Sequence, residues 1–151
     1  MIDEKMLAAL TSSIYLSRLA LKGEIADTDD KRIRASALYE DWVAGTHAVG
    51  DIYNAEGQTW ECFQAYDNAI YPDIVPGAAA WYTFNRPLHG TSPETARPWV
   101  APMGAHDIYR SGECMIWTDG NVYRCTAANG TNFSPADYAA AWEVVTGLDL
   151  R

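Results

Sequence analysis

The sequence predicts a mostly β protein with a helical N-terminal segment and two small three-stranded antiparallel β units joined by a proline-rich connector. Three observations support this fold class: helical spacing of apolar residues near the start, short strand-like runs from Gly50 onward, and a pattern that occurs twice. The predicted boundaries are residues 1–41 for the helical segment, 42–84 for the first unit, 85–98 for the connector and 99–151 for the second unit.

The repeated pattern predicts that one small β unit was duplicated. Its core is a hexapeptide with the order glycine, amide, any residue, aromatic, charged residue and cysteine, which reads GQTWEC at 57–62 and GNVYRC at 120–125. Three landmarks recur at offsets of 63, 62 and 61 residues: the hexapeptide, the pairs Gly50-Asp51 and Gly112-Glu113, and the closing residues Trp81 and Trp142. A near-constant offset over three landmarks is the signature of an internal repeat.

A first helix is predicted over residues 1–22. Leu7, Leu10, Ile14 and Leu21 recur at helical spacing and fall on one face. Gly23 is expected to end this helix, because glycine readily adopts the conformation that terminates helices.

A second helix of about ten residues, an ordinary length for a short helix, is predicted to follow. Asp27–Asp30 supplies its cap and an acidic first turn, and Ile33, Ala37 and Leu38 form its inner face. Two short helices have too little core to be stable alone. The segment is therefore either a docking element for another protein or another copy, or a helical lid on the first unit.

The first unit is predicted to contain three strands. Asp51–Asn54 and Gln58–Gln64 flank a turn at 55–57, and Trp81–Phe84 forms the third strand. Strand alternation would turn Trp81 toward the core and Tyr82 outward.

The second unit repeats this plan after a segment without strands. Residues 85–102 hold four of the seven prolines, and proline lacks the donor that a sheet requires, so a semi-rigid connector is predicted there. The predicted strands of the second unit are Glu113–Trp117, Asn121–Thr126 and Trp142–Val145.

Charge and composition exclude several partner classes. The net charge is −9, and the chain after Trp42 has five arginines, no lysine and 12 acidic residues. Such a chain lacks the basic surface that binds nucleic acids or anionic membranes. No signal peptide and no membrane-spanning stretch are recognisable, so the protein is expected to be made in the host cytoplasm without secretion.

Cysteine and histidine patterns give no sign of a metal site or a catalytic centre. Cys62 and Cys125 occupy equivalent positions in the repeat and are expected to be buried small residues in a reducing compartment. His47, His89 and His106 are expected in separate solvated loops, without partners at ligand spacing. We therefore expect no enzyme activity, no cofactor and no metal.

A tryptophan, a Gly-Asp pair, a Gly-x-x-aromatic strand and a closing tryptophan resemble carbohydrate-binding module families 5 and 12, the small chitin-binding-type domains. The positions that match are, in the first unit, Trp42, Gly50-Asp51, Gly57, Trp60 and Trp81, and, in the second, Gly112, Gly120, Tyr123, Pro135 and Trp142. Glu113 stands where the family pattern has aspartate.

The longer pattern from Gly90 to Glu143, with both units in tandem behind a helical segment, is similar to clostridial-type prophage proteins encoded with bacteriophage tails. This resemblance implies a virion component of the tail fibre or baseplate, which contacts the host surface.

The resemblance to sugar-binding modules implies that pyranose rings would stack on exposed aromatic faces. The candidate glycan-binding residues are Tyr66, Tyr82, Phe84, Trp117 and Tyr138. Partial burial against the neighbouring unit or the connector is the alternative for each of them. Core positions are instead expected for Trp42, Trp60, Trp99, Tyr123 and Trp142.

These observations predict a non-enzymatic tail protein that docks into the tail through Leu7, Leu10, Ile14 and Leu21. Its expected partners are other tail or baseplate proteins or copies of itself, for which a trimer is one suitable arrangement, together with cell-wall polysaccharide. The alternative is a free-standing carbohydrate-binding module for chitin-like or peptidoglycan polysaccharide.

Overall fold

The computed structural model describes residues 3–21 and 28–145, with the side chain of Leu21 excepted. It is mostly β, with one long N-terminal helix and several small sheets, as the sequence predicts. The helices are α1 (Glu4–Leu21) and α2 (Asp29–Arg34). The strands are β1 (Thr46–His47), β2 (Ile52–Ala55), β3 (Gln58–Cys62), β4 (Tyr66–Asp67), β5 (Asn85–Pro87), β6 (Arg97–Pro98), β7 (Cys114–Ile116), β8 (Val122–Cys125) and β9 (Trp142–Val145).

The strands form three sheets. β1 and β4 make a two-stranded antiparallel sheet, and β2, β3 and β5 make a three-stranded antiparallel sheet in the order β2-β3-β5. The third sheet has the order β6-β7-β8-β9, in which β6 runs parallel to β7 and the other pairs are antiparallel. The second unit therefore has one strand more than predicted. None of the described helices is long and apolar enough to span a membrane.

The helical segment agrees with the prediction at its start and differs later. α1 is confirmed, whereas its predicted stop at Gly23 and the first residue of the predicted capping run, Asp27, lie outside the described residues. Thr28 caps α2 by accepting a hydrogen bond from the backbone N–H of Lys31 at 3.2 Å.

α2 has six residues, shorter than the ten predicted, because the chain leaves the helix at Ala35 and forms a 3-10 turn over Ser36–Leu38. Ile33 is buried as expected, but this change of direction leaves Ala37 exposed and Leu38 half-buried. Ile33 packs with Ile52 and Leu88, so α2 is the lid on the first sheet that the sequence offered as one alternative.

Trp81–Phe84 is not the third strand of the first sheet. Trp81–Thr83 forms a 3-10 turn, and the third strand is β5, which pairs with Trp60–Cys62 of β3. The rings of Trp81 and Phe84 both enter the first core. An extended strand would send residues three apart to opposite faces, whereas a 3-10 turn has three residues per turn and aligns them.

The register also corrects the proposed match of the closing tryptophans. Cys62 is paired with Asn85, and its counterpart Cys125 is paired with Trp142. Asn85, and not Trp81, therefore occupies the place in the first sheet that Trp142 occupies in the second.

The expectation that the proline-rich segment contains no strand is wrong. Pro87 lies in β5 and Pro98 in β6. Each of these strands is at the edge of its sheet, where a missing N–H donor costs no ladder hydrogen bond. The segment thus supplies one edge strand to each of the two larger sheets.

The turns before the two hexapeptides have the same hydrogen bonds. The N–H of Gly50 donates to the carbonyl of Cys62 at 2.8 Å, and the N–H of Gly112 donates to the carbonyl of Cys125 at 2.8 Å. Both glycines have a left-handed backbone, with φ of 93° and 92°. Glu113 and Asp51 make the same contact, since the carboxylate of Glu113 accepts the N–H of Arg110 at 2.8 Å and that of Asp51 accepts the N–H of Ala48 at 2.9 Å.

The structure has three apolar clusters. The first core contains Tyr53, Trp60, Cys62, Tyr66, Ile74, Trp81 and Phe84, the second core contains Tyr109, Met115, Cys125, Ala141 and Trp142, and a smaller cluster under α2 contains Ile33, Tyr39, Ile52 and Leu88. Cys62, Cys114 and Cys125 are buried free thiols, which confirms the prediction for Cys62 and Cys125. Of the five aromatic residues expected in the core, Trp60 and Trp142 are buried, and Trp42, Trp99 and Tyr123 are half-buried.

An ion cluster, here called the Arg86 clasp, joins α2 to the first sheet. The guanidinium of Arg86 donates to both carboxylate oxygens of Asp29, at 2.7 and 2.8 Å, and to Oε1 of Glu61 at 2.8 Å. Burial by itself raises the pKa of Asp29, but the hydrogen bonds and charge of Arg86 outweigh it and hold that pKa below its usual value.

Asp30 extends the clasp to the proline-rich segment. Its Oδ1 accepts from the hydroxyl of Thr95 at 2.6 Å and from the N–H of Thr91 at 2.8 Å, and its Oδ2 accepts from Arg34 at 3.1 Å. Burial raises the pKa of Asp30, but these hydrogen bonds outweigh that effect and lower the pKa from 3.8 to about 2.

The lowered pKa of Asp30 predicts a specific loss of stability in acid. Ionised Asp30 stabilises the folded state above about pH 4, and this contribution is lost as the pH falls through about 2. Asp30→Asn should reduce the free energy of unfolding at pH 7 and make its decline between pH 4 and pH 2 shallower, measured by urea unfolding at several pH values. The exposed Asp137→Asn is the control and should keep the wild-type slope. Equal slopes for wild type and Asp30→Asn would contradict the prediction.

Candidate functional site

One face of α1 carries a row of exposed apolar side chains, and Tyr15, Leu16 and Leu19 are exposed on its other sides. We define the apolar face of α1 as Met6, Leu7, Leu10 and Ile14, with exposed fractions of 52%, 58%, 47% and 40%. Leu21 continues the same row in the sequence, but its side chain lies outside the described residues. Contiguous exposed apolar side chains of this kind commonly mark a contact with another protein.

A different face of α1 holds the helix to the rest of the chain. Arg18 donates from Nε to the carbonyl of Leu38 and from a terminal nitrogen to Glu40 at 3.3 Å. Together with Tyr15 and Leu19, Arg18 lines a cavity of about 250 Å³ between α1 and residues 39–47. At 3.6 residues per turn, this holding face is centred about a third of a turn from the apolar face. The four side chains of the apolar face remain exposed, and so do Tyr15 and Leu19 beside Arg18.

Two of the predicted glycan-binding residues are buried. Tyr66 is 4% exposed and Phe84 is 6% exposed, and their ring centroids lie 5.0 Å apart in the first core. They are buried because β4 pairs with β1 and because the 3-10 turn directs Phe84 inward. In this structure neither ring has a free face on which a sugar could stack.

The other three candidates are accessible to different degrees. Tyr82 is half-buried with its ring edge-on to Trp81 at 5.7 Å, and Trp117 is half-buried and edge-on to Trp99 at 5.7 Å. Tyr138 is 49% exposed. Tyr82 packs on the first core and Trp117 on the second, so the candidates do not form one continuous platform.

Two histidines expected in solvent are buried. His47 lies in β1, and its Nε2 is 3.0 Å from Oδ1 of Asn68. His89 stacks on Tyr109 with ring centroids 3.8 Å apart, and its Nδ1 is 3.0 Å from a carboxylate oxygen of Glu113. Only His106 is exposed as predicted. The hydrogen-bond partners of His47 and His89 lie 21 and 24 residues away in the chain, so the local sequence does not show them.

A buried polar network in the first core was not predicted. The hydroxyl of Tyr66 accepts from Nε1 of Trp42 at 2.9 Å and lies 3.0 Å from the hydroxyl of Tyr53. Both tyrosine hydroxyls also donate to Oδ1 of Asn85. Burial, followed by the hydrogen bond with Tyr66, raises the pKa of Tyr53. A polar Asn85 beside the aromatic run 81–84 was the available signal for this network.

An open groove lies between the first sheet and the segment that follows β6. It has a volume of about 620 Å³, and Val75, Gly77, Trp81, Trp99, Val100 and Met103 are among its lining residues. Trp99, which forms its main aromatic wall from the second unit, is half-buried and stacks on Tyr109 at 5.1 Å. The groove offers an apolar surface with the carboxylate of Glu56 nearby, a kind of group that contacts sugars, whereas the buried amide of Gln58 donates to the carbonyl of Pro98.

Within residues 3–21 and 28–145, no three His, Cys, Asp or Glu side chains are grouped closely enough to hold a metal ion. No protein-family model matches the chain, and a search of curated proteins also finds no match.

The polar network makes Tyr66 a structural residue, and this can be tested against an exposed tyrosine. Tyr66→Phe removes the acceptor of the Trp42 indole N–H inside the core, and we expect it to reduce the free energy of unfolding by about 1 to 3 kcal/mol. Tyr138→Phe should change it by less than about 0.5 kcal/mol, because its ring lies at the surface. Urea unfolding measures both. Equal stability of the two variants would contradict the network.

Proposed function

We propose that this chain is a non-enzymatic structural protein of a bacteriophage or prophage tail, in the fibre or baseplate, which docks through the apolar face of α1. The observation that carries the proposal is the position of this face. Its four side chains are exposed on a helix that Arg18, on another side, already holds to Leu38 and Glu40. Burying such side chains in a contact removes apolar surface from water and favours assembly.

The two sheet units would be carbohydrate-binding-module-like repeats, joined by the proline-rich segment and displayed away from the docking surface. The matching turns at Gly50 and Gly112, with equal backbone angles and hydrogen bonds, support their origin by duplication. The paired hexapeptides in β3 and β8, each ending in a buried cysteine, support it further. Tail proteins and copies of the chain are the partners in this proposal, the virion tail is its location, and the net charge of −9 disfavours nucleic acid.

Incorporation into tail particles tests the proposal. Leu10→Asp places a charge in the apolar face of α1 and should reduce incorporation at least tenfold, because a buried unpaired carboxylate opposes docking by more than about 1.4 kcal/mol. Particles assembled with each variant would be purified and probed for this chain. Leu16→Asp is the matched control, since Leu16 is 63% exposed on the far side of the same helix. Wild-type incorporation of Leu10→Asp would overturn the docking role.

A deletion used as a second test should stop at residue 21. Removing residues 1–40 would also remove Asp29, Asp30 and Ile33. These residues bind the first sheet and the proline-rich segment. Removing residues 1–21 spares these contacts, so a loss of incorporation would then report on docking and not on folding.

The partly accessible rings of Tyr82 and Trp117 favour a second candidate function, binding of cell-wall polysaccharide as a carbohydrate-binding module. In that case Tyr82→Ala and Trp117→Ala should each weaken retention on insoluble chitin, peptidoglycan or cell walls by roughly tenfold, because each removes a ring face. Ile70→Ala, which removes an exposed aliphatic side chain, is the control. The melting temperature of every variant is measured alongside. Wild-type retention by both aromatic variants would remove them as a platform.

A further inference from the structure

Trp42 and Trp99 occupy equivalent positions in the two units. The N–H of Trp42 donates to the carbonyl of Asn54 at 2.8 Å, and the N–H of Trp99 donates to the carbonyl of Ile116 at 2.9 Å. These two acceptors are equivalent, because each is paired with the third residue of the hexapeptide in its unit. The two tryptophans are 57 residues apart, outside the repeat offsets of 61 to 63, so strand pairing and not the sequence pattern reveals the match.

Each of these tryptophans stacks on a ring of its own unit. The ring centroid of Trp42 lies 5.5 Å from that of His47, with 18° between the planes, and the centroid of Trp99 lies 5.1 Å from that of Tyr109, with 14°. His47 and Tyr109 also match, since each lies three residues before the left-handed glycine of its unit. Both tryptophans are half-buried, so each indole is fixed by its stack and keeps an accessible surface.

Both tryptophans line one continuous depression. The open groove that Trp99 lines adjoins a second hollow of about 790 Å³ that Trp42 lines. We call the two joined hollows the interunit groove. The residues that line both parts, and so lie between the two tryptophans, are Glu56, Gln58, Val75 and Pro98.

The charged groups of the interunit groove disfavour an anionic ligand. Asp41 and Glu56 place exposed carboxylates along it. Arg97 is the only basic residue among the described residues that line the groove, and its guanidinium donates to the carbonyls of Ala96 at 3.2 Å and Ile33 at 3.4 Å. A polymer of negative charge would therefore meet two carboxylates and a guanidinium that is already hydrogen-bonded.

The backbone beside the groove is not available to an added peptide strand. The carbonyl of Pro98 accepts from the side-chain amide of Gln58, and the N–H of Trp99 is bonded to Ile116. A peptide that binds as an extra strand needs unpaired backbone groups at a sheet edge. Recognition in this groove therefore depends on ring surfaces and side-chain polar atoms, which are the groups that contact sugars.

The repetition of the tryptophan position favours a ligand that itself repeats. Trp42 and Trp99 present the same ring to the groove twice, and a polysaccharide presents the same pyranose ring along its length. When one chain contacts both tryptophans, the second contact becomes intramolecular and the affinity rises. A single small ligand would use only one of them.

We infer that the interunit groove binds one uncharged polysaccharide chain across both units, with pyranose rings against Trp42 and Trp99 and a hydroxyl donating to the carboxylate of Glu56. This inference rests on the second candidate function, polysaccharide binding. It gives that function a site other than the rings of Tyr82 and Trp117.

The indole N–H signals of the isotope-labelled full chain test the inference by NMR. On titration with the tetrasaccharides of glucose and of N-acetylglucosamine, the signals of Trp42 and Trp99 should move together and saturate at the same sugar concentration. Movement of the Trp117 signal while that of Trp42 stays in place, or no movement with either sugar, would overturn the inference. Movement only with a proline-rich peptide would also overturn it and would assign the groove to a protein partner.

Ligand length separates a site with two contacts from a single ring contact. The tetrasaccharide should bind at least tenfold more tightly than the corresponding single sugar, because only the longer ligand can contact both tryptophans. Equal affinities would contradict a shared groove.

Substitutions between the two tryptophans give a further measurement. Val75→Glu places a longer, charged side chain among the shared residues and should weaken retention on chitin, cellulose or cell walls at least tenfold. Glu56→Gln removes a charged acceptor at an exposed turn and should weaken it about two- to tenfold. Ile70→Glu is the matched control, since Ile70 is 70% exposed on the same loop as Val75. Melting temperatures are measured for all three, and wild-type retention by both groove variants would contradict the inference.

The inference and the proposed functions can fail separately. Retention that is lost in Trp117→Ala and kept in Val75→Glu would leave polysaccharide binding standing and overturn the groove as its site. Sugar binding in the groove by a chain that is absent from tail particles would support the inference and overturn the tail function.

Discussion

The arrangement of the chain depends on one ion cluster, in which Arg86 is held between Asp29 and Glu61. These residues come from α2, β3 and β5, so a single guanidinium joins the helical segment to two paired strands of the first sheet. Their side chains are about four-fifths buried, and a charge in such a place is costly unless it is paired. The two carboxylates balance the charge of the Arg86 guanidinium. Hydrogen bonds of Asp30 with Thr91 and Thr95 also join α2 to the segment before β6. The same helix also brings Ile33 into a buried cluster with Ile52 and Leu88.

This clasp explains why the two helices have different roles. α2 is bound by ion pairs and by a buried Ile33, whereas α1 is held mainly near its C-terminal end, through Arg18. The sheets can therefore remain folded whatever α1 contacts. A protein that must keep its display units rigid while one element joins an assembly needs this separation. The apolar face of α1 is exposed, whereas α2 is fixed to the first sheet. This difference supports the proposal that α1, and not α2, is the docking helix.

Features determined by neighbouring residues could be predicted from the sequence, and features determined by distant partners could not. Gly57 follows Glu56 in a two-residue turn with positive φ at both positions, and this local requirement is visible in the sequence. The Thr28 cap and α1 are similarly local. In contrast, WYTF at 81–84 fits a strand or a 3-10 turn equally well, and packing against Trp60, at 5.2 Å from Trp81, decides between them. Asp29 bonds Arg86, which lies 57 residues away, and Tyr66 bonds Trp42, which lies 24 residues away. The local sequence therefore gave no signal for the Arg86 clasp or for the burial of Tyr66, a proposed glycan-binding residue.

Under the proposed duplication, the two cores have similar strand pairing but different side chains at equivalent positions. The register places Tyr53 opposite Trp60 in the first sheet and Met115 opposite Tyr123 in the second, while Asn85 has the place of Trp142. The first core therefore has a tyrosine and an asparagine joined by a hydrogen bond where the second has two apolar side chains. Within each pair the two side chains match in polarity. Replacing one member of the polar pair by its apolar counterpart would leave the other buried polar group without a hydrogen-bond partner, which costs more stability than replacing both. Such paired differences let the units diverge while the glycine turns and cysteine strands keep their geometry.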